Sequence, residues 1–264
     1  AESFVCYGDD LNSEQFEKVM NLLGADLSKD QLIKVTIDDE KALLGSIISA
    51  DKIGSRSLSS ARVTLTGEGT GISVTTQNIN WVTSSMYSSA LATAGVDNAR
   101  IVVAAPVEVS GTAALAGILK AYESAASTQL SDEAKAVAGS EMVLTGDLAD
   151  MIGSDDAVEL LAMVKNAIAE YHLDDYDSLR PYVEQGAKQL GVQLTEDQID
   201  QITKLGVQIA KLDLDPEKLA GQLNGLVDNI QKIQKVQQSA DSIFTNIKTA
   251  VQGFFNWIGS WFKR

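Results

Sequence analysis

The sequence is poor in the residues that most often carry chemistry. Its 264 residues include one cysteine, one histidine and three prolines. A single cysteine excludes an internal disulfide and a zinc site built from several cysteines. The single histidine, His172, leaves one candidate base for serine–histidine chemistry. Because proline is scarce and 45% of the residues are hydrophobic, a disordered or collagen-like chain is excluded as well.

Positive charge is also scarce, and the formal net charge is −15. An acidic surface repels phosphate backbones, so nucleic acid is not expected as a partner. The sequence lacks a run of eighteen uncharged apolar residues, so no conventional transmembrane helix is expected. The start at Ala1-Glu2, without methionine, is typical of a secreted protein after signal-peptide removal, although an artificial start looks the same.

Residues 1–126 carry strand and helix patterns together. Residues 61–66 and 72–76 alternate between apolar and polar and flank a glycine-rich joint, which predicts a β-hairpin. Residues 100–105 are nearly all apolar and end at Pro106, which indicates a strand buried on both faces. A further strand is expected at 33–37.

Helix starts are indicated by a short polar cap followed three residues later by glutamine. The pairs are Asn12 with Gln15, Ser28 with Gln31 and Thr195 with Gln198. A helix is also predicted at 80–94, ended by Gly95. Another is predicted to begin at a cap formed by Ser110 or Thr112 and to extend to about residue 124.

Beyond residue 127 the strand signals largely stop, and helices are predicted near 131–139, 145–152, 154–171, 178–191 and 195–212. Asp155 and Asp156 suit the first turn of 154–171. The fold class is therefore α+β: a small mixed sheet with flanking helices, followed by an all-α domain of helical hairpins that ends in a long or broken amphipathic helix. The predicted boundaries are 1–126 for the α+β domain, 127–215 for the helical domain and 216–264 for a heptad-patterned helical region.

The last region begins with Asp215 as a cap and Pro216 at the first helical position. Alternate steps of four and three then give a heptad seam. Its positions are Leu219, Leu223, Leu226, Ile230, Ile233, Gln237, Ala240, Phe244, Ile247, Val251, Phe254, Ile258 and Trp261. An unbroken helix over 216–262 would be about 70 Å long. Since that exceeds a compact domain of roughly 35–40 Å, the helix either projects or breaks near 237–242. Residues 195–212 and the helix from 216 are predicted to form an antiparallel hairpin.

The end of this seam is the candidate binding surface. It combines large apolar side chains with terminal cations: Phe244, Ile247, Val251, Phe254, Phe255, Trp257, Ile258, Trp261, Phe262, Lys263 and Arg264. Residues 241–264 hold one aspartate against two lysines and one arginine, a net +2 within an acidic chain. This composition is typical of a helix that lies in a membrane interface. Packing on the same chain or on a second copy, and a dedicated protein partner, remain open.

Other candidate sites are weaker. His172 lies beside Asp174, Asp175 and Asp177, a neighbourhood that suits a base or calcium but lacks the glycine and distal glutamate of a calcium loop. Ser110 and Thr112 suggest either helix caps or a ligand site at a helix start. Cys6 is expected to be a buried apolar residue. No cofactor, metal or catalytic residue is assigned.

Four stretches of the chain resemble the domain of unknown function 1002 family. They are Gly8-Asp9-Asp10-Leu11 followed by Gln15, residues 75–79 (TTQNI), residues 105–115 (APVEVSGTAAL) and residues 144–149 (LTGDLA). The resemblance covers most of the chain to about residue 190. It implies an exported or envelope-associated protein of Gram-positive bacteria and supplies no activity.

Three functional hypotheses follow from the sequence. The first is a secreted, non-enzymatic envelope protein that engages a membrane or self-associates through residues 241–264. The second is an envelope hydrolase that uses carboxylates, which 36 acidic residues leave open. The third is a ligand-binding module in the α+β half.

Overall fold

The computed structural model describes residues 3–48 and 53–237. Within them a mixed sheet with flanking helices is followed by a helical region, as the predicted fold class requires. The strands are β1 (Ser3–Gly8), β2 (Gln31–Val35), β3 (Ser60–Leu65), β4 (Ile72–Ile79) and β5 (Ala99–Val109). The helices are α1 (Ser13–Leu23), α2 (Ile37–Leu44), α3 (Ser84–Ala94), α4 (Ala114–Ala126), α5 (Asp132–Ile152), α6 (Ser154–Tyr171), α7 (Tyr176–Leu190), α8 (Glu196–Ala210) and α9 (Pro216–Gln237). In these described parts of the chain, none of the helices is both long and apolar enough to span a bilayer.

The five strands form one sheet in the order β2-β1-β3-β5-β4. β1 pairs with β2, and β4 with β5, in parallel, whereas β3 is antiparallel to both β1 and β5. β5 lies inside the sheet, and Ile101, Val103, Ala104 and Ala105 are buried. This confirms the predicted buried strand, but the strand does not end at Pro106 and continues to Val109.

The predicted hairpin of residues 61–66 and 72–76 is wrong. Both strands exist as β3 and β4, but β5 lies between them and pairs with each. The connection at 66–71 therefore crosses the start of β5. Asn98 holds it there, because its carbonyl accepts from the Thr66 N–H at 3.0 Å and its side chain accepts from the Gly71 N–H at 2.9 Å. The alternation of apolar and polar residues identified both strands but not β5 as the strand with which they pair.

Helices cover the sheet on both faces. α1 packs against β5 on one face, where Val19, Met20 and Leu23 join the core formed with Val5 and Ala104. α3 and α4 cover the other face, with the main core between them and the sheet. That core also contains Met142 of α5 and Val158 of α6, so the sheet and the helical region share it.

Several predicted helix starts need correction. Ser28 does not cap a helix: residues 26–30 form a turn and Gln31 opens β2. The capping box lies instead at Thr36 and Asp39, at the start of α2. α3 begins at Ser84 rather than at residue 80, because the N–H groups of residues 80 and 82 bond the carbonyls of residues 109 and 110. The predicted capping boxes of α1 and α8 are confirmed.

Residues 132–152 form the single helix α5, where two shorter helices were predicted at 131–139 and 145–152. Its two glycines lie inside the helix, and each allows a side chain from elsewhere in the fold to approach closely. Leu44 packs against Gly139, and the Trp81 ring lies against Gly146 where any side chain would collide. Residues 154–171 form α6 as predicted, with Asp155 and Asp156 in its first turn.

α9 does not form the predicted hairpin with residues 195–212. α8 packs on α5, α6 and α7, whereas α9 packs on α3 and α6. Small residues, Ala92 of α3 and Ala162 of α6, leave a groove that receives Leu219 and Leu223. The next seam residues, Leu226 and Ile230, join the main core. The first four positions of the heptad seam are therefore buried by their own chain.

Because Leu223 is fully buried, we expect Leu223→Ala to lower the free energy of unfolding by about 2–5 kcal/mol. Leu27→Ala is the matched control, since the Leu27 side chain is 56% exposed and its loss should change stability by less than about 0.5 kcal/mol. Urea unfolding followed by circular dichroism measures both. Equal stability of the two variants would contradict the packing of α9.

Candidate functional site

A buried polar network joins α3, α5 and α6. Lys165 of α6 and Glu141 of α5 are completely buried, and Lys165 Nζ lies 2.8 Å from Glu141 Oε1. Lys165 Nζ also donates to Ser89 Oγ at 2.8 Å and to Thr93 Oγ1 at 3.1 Å. These two hydroxyls of α3 in turn donate to the Glu141 carboxylate. Each polar group of the network thus has partners within it.

The contact of Ser89 with Lys165 has the atoms of a serine–lysine nucleophile pair. Burial lowers the pKa of Lys165, and the nearby Glu141 carboxylate opposes that change. However, Ser89 is 1% exposed and Lys165 is 0% exposed, so a substrate cannot reach the hydroxyl. The arrangement supports a structural joint between three helices rather than a nucleophile.

Sequence analysis did not identify this network. The available signal was a lysine in the middle of a helix whose neighbours Val164 and Ile168 belong to the apolar face. Glu141 is a similar acidic residue among buried positions of α5. Such residues require a buried partner, but spacing along the chain does not reveal that partner.

Removing one member of the pair should be more harmful than removing both. We expect Lys165→Met to lower the free energy of unfolding by about 3–5 kcal/mol, because it leaves the Glu141 carboxylate buried without its cation. In the double variant Lys165→Met/Glu141→Leu, we expect a clearly smaller loss. Urea unfolding of the wild type, both single variants and the double variant measures the coupling. Additive losses would contradict a desolvated ion pair.

A second candidate region is the edge of the sheet where strands end. Because β1, β2, β4 and β5 all run in the same direction, their carboxyl ends lie at one edge. In open α/β sheets ligands commonly bind beyond the carboxyl ends of strands. Residues 8–11, residues 75–79 and the start of α4 lie here, so three of the four stretches quoted above converge at this edge.

The backbone at this edge is closely packed. A side chain at Gly8 would overlap the Ser57 carbonyl. Gly111 has φ 91° and lies against Ile79 and Tyr87, whose hydroxyl donates to the Gly111 carbonyl. Both glycines are therefore required by the close approach of neighbouring atoms.

Ser110 and Thr112 do not cap a helix, contrary to prediction. The N-cap of α4 is Ala113, which makes no side-chain bond to the helix. Residues 111–114 form a turn before the helix, in which the carbonyl of Gly111 accepts from the Ala114 N–H at 3.3 Å. The hydroxyls of Ser110 and Thr112 lie 3.3 Å apart, and Thr112 is buried. The ligand site predicted at these residues gains no support.

A cleft of about 550 Å³ opens between α2, α4 and α5. Its apolar lining comes from Ala42, Leu43, Ala116, Leu119 and Ala136. The lysines on its walls are paired: Lys120 with Asp39 at 3.3 Å, and Lys135 with Glu123 at 3.1 Å. The cleft is large enough for a small molecule, but its cations already have carboxylate partners.

The other predicted residues have structural roles. His172 ends α6 with φ 52°, and Asp175 caps α7 by accepting from the Ser178 N–H at 2.9 Å. Throughout residues 3–48 and 53–237, no three His, Cys, Asp or Glu residues are placed to hold a metal ion. Cys6 is buried as predicted, and burial raises the pKa of its thiol to about 12.

The predicted binding residues of the C-terminal segment lie outside the described residues. They are Phe244, Ile247, Val251, Phe254, Phe255, Trp257, Ile258, Trp261, Phe262, Lys263 and Arg264. What the structure does describe is the helix that leads toward them. α9 is held by Leu219, Leu223, Leu226 and Ile230, all of them buried.

Comparison with known proteins identifies the family. A family model described as a protein of unknown function, DUF1002, matches residues 7–226. The chain belongs to the DUF1002 family. It is also 35% identical, over 258 residues, to the uncharacterised protein YpuA of the Gram-positive bacterium Bacillus subtilis (strain 168). That alignment covers 95% of this chain and 89% of YpuA. No solved structure matches. The DUF1002 match ends within α9 and includes the first half of that helix.

Proposed function

We propose that this DUF1002 protein is an exported, non-enzymatic protein of the cell envelope, and that it docks on a membrane surface through residues 241–264. The observation that carries the proposal is the anchoring of α9. Its seam residues Leu219 and Leu223 fill the groove between α3 and α6, and Leu226 and Ile230 complete the main core. The same seam continues in the sequence as Phe244, Phe254 and Trp261, beyond this anchored helix.

The distribution of charge supports a membrane surface as the partner. Residues 241–264 carry a net charge of +2. Because the whole chain carries −15, residues 1–240, which we call the body, carry −17. Anionic lipid repels the body and attracts the cationic end of the chain. This polarity favours contact through the C-terminal segment alone. It also disfavours nucleic acid as a partner, since phosphate backbones meet the same repulsion from the body.

Aromatic side chains supply the apolar part of the interaction. Removing one large side chain from water contributes about 1.5–3 kcal/mol. Five of the fifteen aromatic residues lie within residues 254–262. Partial burial of several of them in a bilayer interface is enough for reversible binding, without a membrane-spanning helix or a lipid anchor.

The test uses the full chain and vesicles of phosphatidylcholine and phosphatidylglycerol. We expect co-sedimentation with the vesicles and a blue shift of tryptophan emission. Substituting Trp257→Ser and Trp261→Ser together should weaken partitioning at least tenfold, because two large apolar groups are lost. Trp81→Phe is the matched control. Trp81 lies on the body, with its indole N–H 3.2 Å from Asp150, so its loss should leave vesicle binding unchanged.

Two results would contradict membrane docking. One is equal sedimentation of the wild type and the double tryptophan variant. The other is a concentration-dependent dimer, seen by analytical ultracentrifugation without vesicles, that the double variant dissociates while vesicle binding is absent. That second result would make a second copy of the chain the partner.

A further inference from the structure

Glu40 of α2 is buried without a cation. Its side chain is 0% exposed, and its Oε1 accepts a hydrogen bond from Ser57 Oγ at 2.5 Å. Its other oxygen, Oε2, has no hydrogen-bond partner within the described residues. A buried carboxylate requires a cation or several donors, because burial without them costs several kcal/mol. With one donor and no cation, this position favours the neutral acid over the carboxylate.

The surrounding charges reinforce that conclusion. The carboxylates of Asp10, from the loop after β1, and Asp39, from α2, both disfavour a negative charge on Glu40. The cations of the helices that pack on α2 are engaged elsewhere. Lys120 of α4 pairs with Asp39, and Lys135 of α5 pairs with Glu123 and Asp132.

Ser57 belongs to a segment, residues 53–59, that crosses the carboxyl end of β1; we call it the strap. Two hydrogen bonds with Asp10 hold it there. Ser57 N–H donates to Asp10 Oδ2 at 2.7 Å, and Asp10 N–H donates to the Ser57 carbonyl at 3.2 Å. Ile53 and Leu58 are buried. The strap also lies directly over Gly8. It therefore covers part of the sheet edge at which four strands end.

We propose that Glu40 is a proton-dependent latch that holds the strap closed over the carboxyl end of β1. While Glu40 keeps its proton, it accepts from Ser57 and adds no charge beside Asp10. When the proton leaves, the buried Glu40 carboxylate has one donor and faces the charges of Asp10 and Asp39, so burial and repulsion together favour release of the strap. Release exposes Gly8, which is buried while the strap is closed.

The direction of the pH dependence follows from the same contacts. Burial, and then the charges of Asp10 and Asp39, raise the pKa of Glu40 to about 7, although the Ser57 hydrogen bond opposes the shift. A carboxyl group released into water has a pKa near its ordinary value, about 4.3. The contribution of the latch is therefore complete below that value and is lost as the pH rises to about 7.

Native-state hydrogen exchange at the Ser57 amide tests the latch in the full-length protein. Between pH 5 and pH 7.5, after correction for intrinsic exchange, we expect the protection factor to fall roughly fiftyfold, as one proton lost on opening requires. In Glu40→Gln, which keeps the shape and stays neutral, we expect the protection factor to be nearly constant with pH. In Asp10→Asn, which removes one repelling charge and keeps an acceptor for the Ser57 N–H, we expect a smaller fall.

Glu159→Gln is the matched control. Glu159 of α6 is also buried, with one unpartnered oxygen among the described residues, and burial and the nearby Asp156 and Asp155 raise its pKa to about 7. Because it is not part of the strap, this variant should keep the wild-type response at Ser57. A constant wild-type protection factor, or an undiminished fall in Glu40→Gln, would overturn the proposal. So would loss of the response in Glu159→Gln, since global unfolding would then explain it.

Discussion

The ion pair of Lys165 with Glu141 constrains the rest of the structure more than any other contact described here. Taking both charges out of water costs several kcal/mol each, and only close geometry with further hydrogen bonds offsets that cost. The hydroxyls of Ser89 and Thr93 supply those bonds. The pair can therefore form only when α3, α5 and α6 are packed together. Since α3 also covers the sheet, the sheet and the helical region are fixed relative to each other.

α9 depends on this arrangement and extends it. The groove that receives Leu219 and Leu223 exists because α3 and α6 lie side by side, held by the network beneath them. The first four positions of the heptad seam thus complete the core. The proposed docking role belongs to residues 241–264, so folding and docking use different parts of one sequence pattern. Because of this separation, one chain can combine an acidic body with a cationic, aromatic C-terminal segment.

The sequence predicted what depends on local pattern. The apolar face of residues 154–171 and the capping boxes at Asn12 and Thr195 identified their helices. It failed where the answer depends on distant partners. The alternation in β3 and β4 does not show that β5 separates them, and the spacing of α9 does not show that Ala92 and Ala162 form its groove. Buried Lys165 and Glu40 were missed for the same reason, and the boundaries after residues 126 and 215 stay predictions.

Native-state hydrogen exchange tests the central claim, that the buried pair makes the sheet and the helical region one cooperative unit. The measurement compares the amides of Val103, in the middle of β5, and Leu161, in α6. Both should exchange through the same global opening, with equal free energies, and Lys165→Met should lower the two values together. If Leu161 exchanges through an opening of much lower free energy while Val103 stays protected, the two regions unfold separately. In that case the ion pair is not the joint described here.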